Sequence, residues 1–166
     1  MIKFVSFSIG LFSCFFIALT AQSVDPKIFD KKVNDYIHKC PLAVISTISA
    51  FNYSSESALI AFTQNEKLEL YFMTFADSRK YTNLQNNHNV SLVIGFGYTT
   101  IQYEGMAHQL EEEVVKEALH AFSIKETPCT PDFLNNPRAR FFKIIPKWIR
   151  YSDYSVCPAE ILEKSW

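Results

Sequence analysis

Glycine is scarce, with four residues in a chain of 166. Gly95-Phe96-Gly97 is the one close pair, and it lacks both the third glycine and the following helix of a dinucleotide-binding turn. No Walker loop, G-x-S-x-G or H-E-x-x-H pattern occurs, so most self-contained catalytic signatures are excluded. The four histidines, His38, His88, His108 and His120, have no metal-ligand spacing and read as surface or partly buried residues, and no metal site is expected. There is no C-x-x-C pair. No Lys/Arg run exceeds two residues and the formal net charge is -1, which argues against a nucleic-acid partner.

Charge is also missing from the beginning of the chain. Lys3 is the sole charged residue before Asp25, and residues 4–19 form a nearly continuous apolar run. A basic start, an apolar middle and the small residues of Ala21-Gln22-Ser23 fit a secretory signal cut after Ser23 or after Ala21. The competing reading is an uncleaved membrane anchor, because a spanning helix needs about 20 apolar residues. Residues 1–23 are therefore expected to export the protein or attach it to a membrane; a misassigned start would leave it cytoplasmic. With the leader removed, Cys40, Cys129 and Cys157 remain, an odd number best read as small apolar fillers, although export would permit one disulfide.

What the sequence has in abundance is aromatic residues. Fifteen Phe and eight Tyr suit half-buried pleated strands, and the length supports one hydrophobic core. Asp25-Pro26 is a helix start, followed by Ile28, Phe29, Val33, Tyr36 and Ile37 at helical spacing, with Pro41 as a stop; this helix is expected to plug one end of a barrel. Strands are expected over 42–49, 57–63, 68–74, 90–96, 100–110, 140–145 and 148–154, the last two separated by Pro146-Lys147. Gly105 inside one of them predicts a bulge. A second main helix is expected over 111–122, with Glu111-Glu112-Glu113 at the positive end of its dipole, and then a proline-containing loop over 127–137. The fold class is mainly β with α: six to seven antiparallel strands and two main helices in one domain over 24–155, with 156–166 as a C-terminal tail.

The segment Thr74-Phe75-Ala76-Asp77-Ser78-Arg79-Lys80 runs from a strand into the first turn of a short helix, capped by Asp77 or Ser78. Two cations sit where the helix dipole disfavours them by ~0.3–1 kcal/mol, an arrangement that invites an anion. Free amides, the Thr74 and Ser78 hydroxyls, the Arg79 fork and the Lys80 charge could hold a phosphate. The alternative is an exposed Arg-Lys pair with no ligand.

These residues, in this order, resemble the pyridoxamine-phosphate-oxidase-like family of flavin-binding split barrels. Leu42-Ala43-Val44-Ile45-Ser46-Thr47-Ile48 resembles the opening strand, and Leu70-Tyr71-Phe72-Met73-Thr74 with Ser78-Arg79-Lys80 resembles the strand and phosphate turn. Asn83-Leu84 and Asn89-Val90-Ser91-Leu92 continue the likeness, as do Tyr103-Glu104-Gly105-Met106-Ala107, Phe142-Lys143-Ile144-Ile145-Pro146 and Trp148-Ile149-Arg150-Tyr151. The resemblance implies a split β-barrel homodimer with one FMN at each of two sites between subunits, the phosphate held by Thr74, Ser78, Arg79 and Lys80. It implies an oxidoreductase acting on a small-molecule substrate by hydride transfer at the flavin ring, with no catalytic side chain identified. Two departures stand out. Ala58 lies where the oxidases carry a phosphate-binding arginine near the start of the second strand, and 156–166 has none of the Arg and His residues that bind substrate in oxidases of vitamin B6. Pyridoxamine phosphate is thus disfavoured as the substrate. Relatives lacking these features include deazaflavin-dependent reductases and haem-utilisation proteins, so a non-catalytic flavin- or haem-binding module is the alternative.

Overall fold

The structure, a computed structural model, describes residues 25–111, 115 and 136–166. The leader, Cys129, His120, and most of the helix expected over 111–122 and of the loop expected over 127–137 lie outside the described residues.

Helix α1 spans Pro26–His38 and is followed by β1 (Leu42–Ile48), β2 (Ser55–Gln64) and β3 (Leu70–Phe75). Helix α2 (Arg79–Asn86) separates these from β4 (Asn89–Ile94), β5 (Thr99–Gln109), β6 (Ala139–Asp153) and β7 (Glu160–Ser165). The sheet order is β3-β2-β1-β4-β5-β6-β7, and β3 also pairs with β6. That extra pairing closes β1 to β6 into a six-stranded antiparallel barrel with β7 added outside. Alternation sets which face β1, β4 and β5 bury. In β4, for example, Val90, Leu92 and Ile94 point inward while Asn89, Ser91 and Val93 point out.

The Asp25 carboxylate accepts the Lys27 amide at 2.8 Å and Pro26 takes the first helical position, so α1 starts where the sequence predicts. Its Phe29, Val33 and Ile37 form one buried stripe within the barrel core. Phe72 and Phe142, on the paired strands β3 and β6, stack with ring centroids 5.4 Å apart. Burial of each such side chain contributes roughly 1.5–3 kcal/mol.

Four details differ from the sequence expectation. Pro146-Lys147 does not divide two strands. Residues 139–153 form one long strand that pairs with β5 along its length, while its other edge pairs first with β3 and then with β7. The irregularity expected at Gly105 is present, but Glu104 faces Trp148 and Gly105 faces Pro146, so the extra residue is Lys147 on β6. Pro146 is tolerated at this break because the ladder is already interrupted there. Leu68, predicted to begin a strand, closes the β2–β3 turn with φ 61 and is nevertheless buried. Residues 156–166, for which the sequence predicts no element, carry β7, whose Ile161 and Leu162 are buried.

Candidate functional site

Ser78 is the N-cap of α2: its hydroxyl accepts the Tyr81 amide at 3.1 Å. The same oxygen lies 2.8 Å from the Thr74 hydroxyl at the end of β3, and Thr74 is buried. The strand end and helix start are thereby fixed to each other. No acidic residue stands in the first turn of α2, where Arg79 and Lys80 sit instead. This is the inverted charge placement that the sequence shows, now located at the rim of the barrel.

Beside that turn is a cavity of about 380 Å³ lined by Thr47, Glu56, Ser57, Ala58, Arg79 and Lys80. It falls in the size range of small-molecule sites, roughly 300–1,000 Å³. Thr47 faces Glu56 and Ile45 faces Ala58 in the β1–β2 ladder, which places the carboxylate of β2 directly under the cations of α2. Arg79 is ion-paired with Glu56. The other Glu56 oxygen accepts a 2.9 Å hydrogen bond from the Asn83 side-chain amide. Asn83 is fully buried; its Nδ2 also donates to Thr47 Oγ1 at 3.0 Å, and its Oδ1 accepts the Ala50 amide at 3.0 Å. One asparagine therefore ties α2 to β1, to β2 and to the turn between them.

Lys80 has a different character. It is half-buried, and among the described residues it forms no hydrogen bond or ion pair. Burial alone pushes its ammonium below the usual lysine value. A partly dewatered cation that lines a cavity and has no carboxylate partner among the described residues can hold an anion.

Of the four residues predicted to hold a phosphate, the structure brings Arg79 and Lys80 into this cavity. It places Thr74 and Ser78 behind them, hydrogen-bonded to each other. Ala58 does line the cavity, at the position predicted from the second strand. Glu56 is the residue that sequence reasoning missed. The available signal was its phase: Glu56, Ala58, Ile60 and Phe62 are alternate residues of β2, so a carboxylate lies in register with the inward face.

From Ser57, which also lines the cavity, a row of small hydroxyl residues crosses the barrel's outer face. Ser57 faces Ser46, Ser46 faces Ser91, Ser91 faces Glu104 and Glu104 faces Trp148. Ser46 and Ser57 hydroxyls are 2.8 Å apart. Two shallow depressions of about 300 and about 290 Å³ lie along this row, sharing Ser46, Ser91 and Glu104. A second titratable group gathers near α1, where burial raises Tyr36 and Tyr151 to about 12 and hydrogen bonds from Ser155 lower Asp153. The Tyr36 hydroxyl donates to the Thr99 carbonyl and its ring packs edge-on against Tyr151 at 6.0 Å, a structural arrangement with no cavity beside it among those described. His38, His88 and His108 are exposed, and among the described residues no group of three or more His, Cys, Asp or Glu could hold a metal ion. No helix among the described residues is long and apolar enough to cross a membrane.

Comparison with known proteins adds to this geometry. The pyridoxamine 5'-phosphate oxidase family matches residues 29–153. No curated protein matches the chain by sequence. Among solved structures, General Stress Protein 26 from Bacillus anthracis is similar with a TM-score of 0.61 and 26% identity, covering 82% of this chain and 98% of its own. A Clostridium acetobutylicum protein related to general stress protein 26, of the pyridoxinephosphate oxidase family, has a TM-score of 0.66 at 13% identity, with 86% and 96% covered. Campylobacter jejuni ChuZ has a TM-score of 0.71 at 13% identity; 86% of this chain is covered but only 61% of ChuZ.

Proposed function

We infer that the chain, which belongs to the pyridoxamine 5'-phosphate oxidase family through residues 29–153, is an FMN-binding oxidoreductase acting on a small-molecule substrate. The family is generally flavin-binding. The observation that carries the reading is Lys80, a partly dewatered cation with no ion-pair partner among the described residues, beside Arg79 at the start of α2 and lining a cavity of about 380 Å³. Its half-burial is a cost to the fold that a bound anion would offset. Arg79 and Lys80 would neutralise the flavin phosphate, and the Ser57 and Thr47 hydroxyls would be within the same cavity as partners for the ribityl chain. A bound flavin supplies hydride transfer at its ring, and the protein's part is to orient and shield it.

The homodimer belongs to the same proposal. On the outer face Val44 pairs with Leu59 on one side and Val93 on the other. Leu59 is 59% exposed and Val93 41%, which makes an apolar stripe suited to a second copy of the chain. Ala58 and the Arg79–Glu56 pair favour a second reading, a binding module without catalysis, because both weaken the phosphate seat relative to one built from free arginines. The visible absorbance spectrum of purified protein separates these: flavin bands and their bleaching by a hydride donor support the oxidoreductase. A haem band without flavin, or a bound flavin that no donor reduces, supports the module.

A further inference from the structure

We propose that Glu56 is a specificity-determining residue of the cavity: an internal carboxylate that occupies Arg79 and must release it before a phosphate can be gripped. The proposal rests on the reading of the cavity as a phosphate seat and concerns how strongly that seat discriminates by charge.

The geometry assigns the role. Glu56 and Arg79 come from β2 and α2, and their side chains meet at the wall of the cavity that Lys80 also lines. Glu56 is the better-buried partner, at 22% side-chain exposure against 68% for Arg79. The carboxylate is moreover anchored from behind by the buried Asn83 amide at 2.9 Å. The fixed partner of the pair is therefore the acid and the movable one is the arginine.

Among the described residues, three charged side chains line the cavity: Arg79, Lys80 and Glu56. Together they present one net positive charge to a ligand, whereas a phosphate monoester carries about −1.5 to −2 near neutral pH. With Glu56 in place, such a group meets Lys80 freely but must compete for Arg79 while standing close to a fixed carboxylate, an unfavourable like-charge contact. The cavity as built accepts a singly charged anion, or a ligand whose uncharged hydroxyls do most of the binding, better than a full dianion. A small change at position 56 should convert it into a strong phosphate seat.

The substitution Glu56→Gln removes the charge and keeps an oxygen acceptor for Asn83; Glu56→Ala removes both, leaving the Asn83 amide on Thr47 Oγ1 and cavity water. Folding of each is checked by circular dichroism, and either one that folds serves. Affinities for FMN and riboflavin are measured by flavin fluorescence, and stabilisation by inorganic phosphate is measured by thermal unfolding at constant ionic strength. The expected result is FMN binding tightened roughly tenfold, riboflavin binding within about twofold of the original chain, and a larger phosphate-induced rise in melting temperature. Unchanged or weaker FMN binding in the variants, where the original chain binds flavin, overturns the role of Glu56. If neither flavin binds any version, the flavin reading fails and the phosphate measurement decides: greater stabilisation of the variants upholds the assignment, and equal stabilisation overturns it.

Discussion

The guanidinium of Arg79, in the first turn of α2, is ion-paired with the carboxylate of Glu56 on β2. The helix start that lacks an acid of its own thus receives one from a strand. This relationship distinguishes the two adjacent cations: Arg79 has a carboxylate partner, and Lys80 has none among the described residues.

Lys80→Met should therefore strengthen the unliganded fold while weakening anion binding. Burial holds the Lys80 ammonium below its usual value of 10.5. Below its folded-state pKa the amine is charged both folded and unfolded, so the full desolvation cost is present; between that pKa and 10.5 the folded amine is already neutral and the cost fades. The gain from Lys80→Met, up to about 1 kcal/mol, should be largest at neutral pH and shrink as pH rises. Urea unfolding at several pH values checks this; a loss of stability at neutral pH would contradict it.

Gly105→Ala should destabilise the barrel without touching the cavity. A Cβ at this position would lie 2.5 Å from the Ile145 carbonyl oxygen and 2.7 Å from Ile144 Cγ2, and the obstacle is backbone that cannot swing away. The expected loss is roughly 1–3 kcal/mol, read from the urea midpoint. An unchanged midpoint would mean that β5 and β6 do not approach as closely as described.

Ending the chain after Ser155 should cost roughly 3 kcal/mol or more, since Ile161 and Leu162 each contribute burial worth roughly 1.5–3 kcal/mol. The truncation also removes the Lys164–Asp30 pair at 2.6 Å and the Lys32–Glu160 pair, which tie β7 to α1. Thermal unfolding of the truncated and full chains gives the comparison, and equal melting temperatures would show β7 to be dispensable.

Leu59→Lys combined with Val93→Lys should convert a dimer into a folded monomer, because two like charges would flank Val44 on the apolar stripe. Analytical ultracentrifugation reads the mass and circular dichroism the fold. A mass unaffected by the double substitution would remove this face from the dimer contact.

The parts of the fold legible in the sequence are those with local causes. Asp25-Pro26 and Ser78 announce their helices through capping chemistry, and β1 announces itself as a β-branched, apolar run. β7 was not legible, because Ile161 and Leu162 are adjacent rather than alternate and the strand is an edge whose ladder runs to β6 on one side. Pro146 reads as a strand break because a local rule forbids proline in a ladder, and only the register with Gly105 shows that the ladder is interrupted there. In the candidate site, the placement of Arg79 and Lys80 in the first turn of a helix was legible in the sequence. Their division of labour was not, since it depends on Glu56 arriving from 23 residues earlier through the closure of the barrel.

The central claim, that Arg79 and Lys80 hold a flavin phosphate, is tested most directly by titrating the original chain and its Lys80→Met and Arg79→Ala variants with FMN and with riboflavin, which differ by that phosphate alone. Saturable FMN binding to the original chain is expected, with each substitution weakening FMN by roughly tenfold or more and riboflavin by much less. Equal weakening of both ligands, or binding of neither, would contradict it.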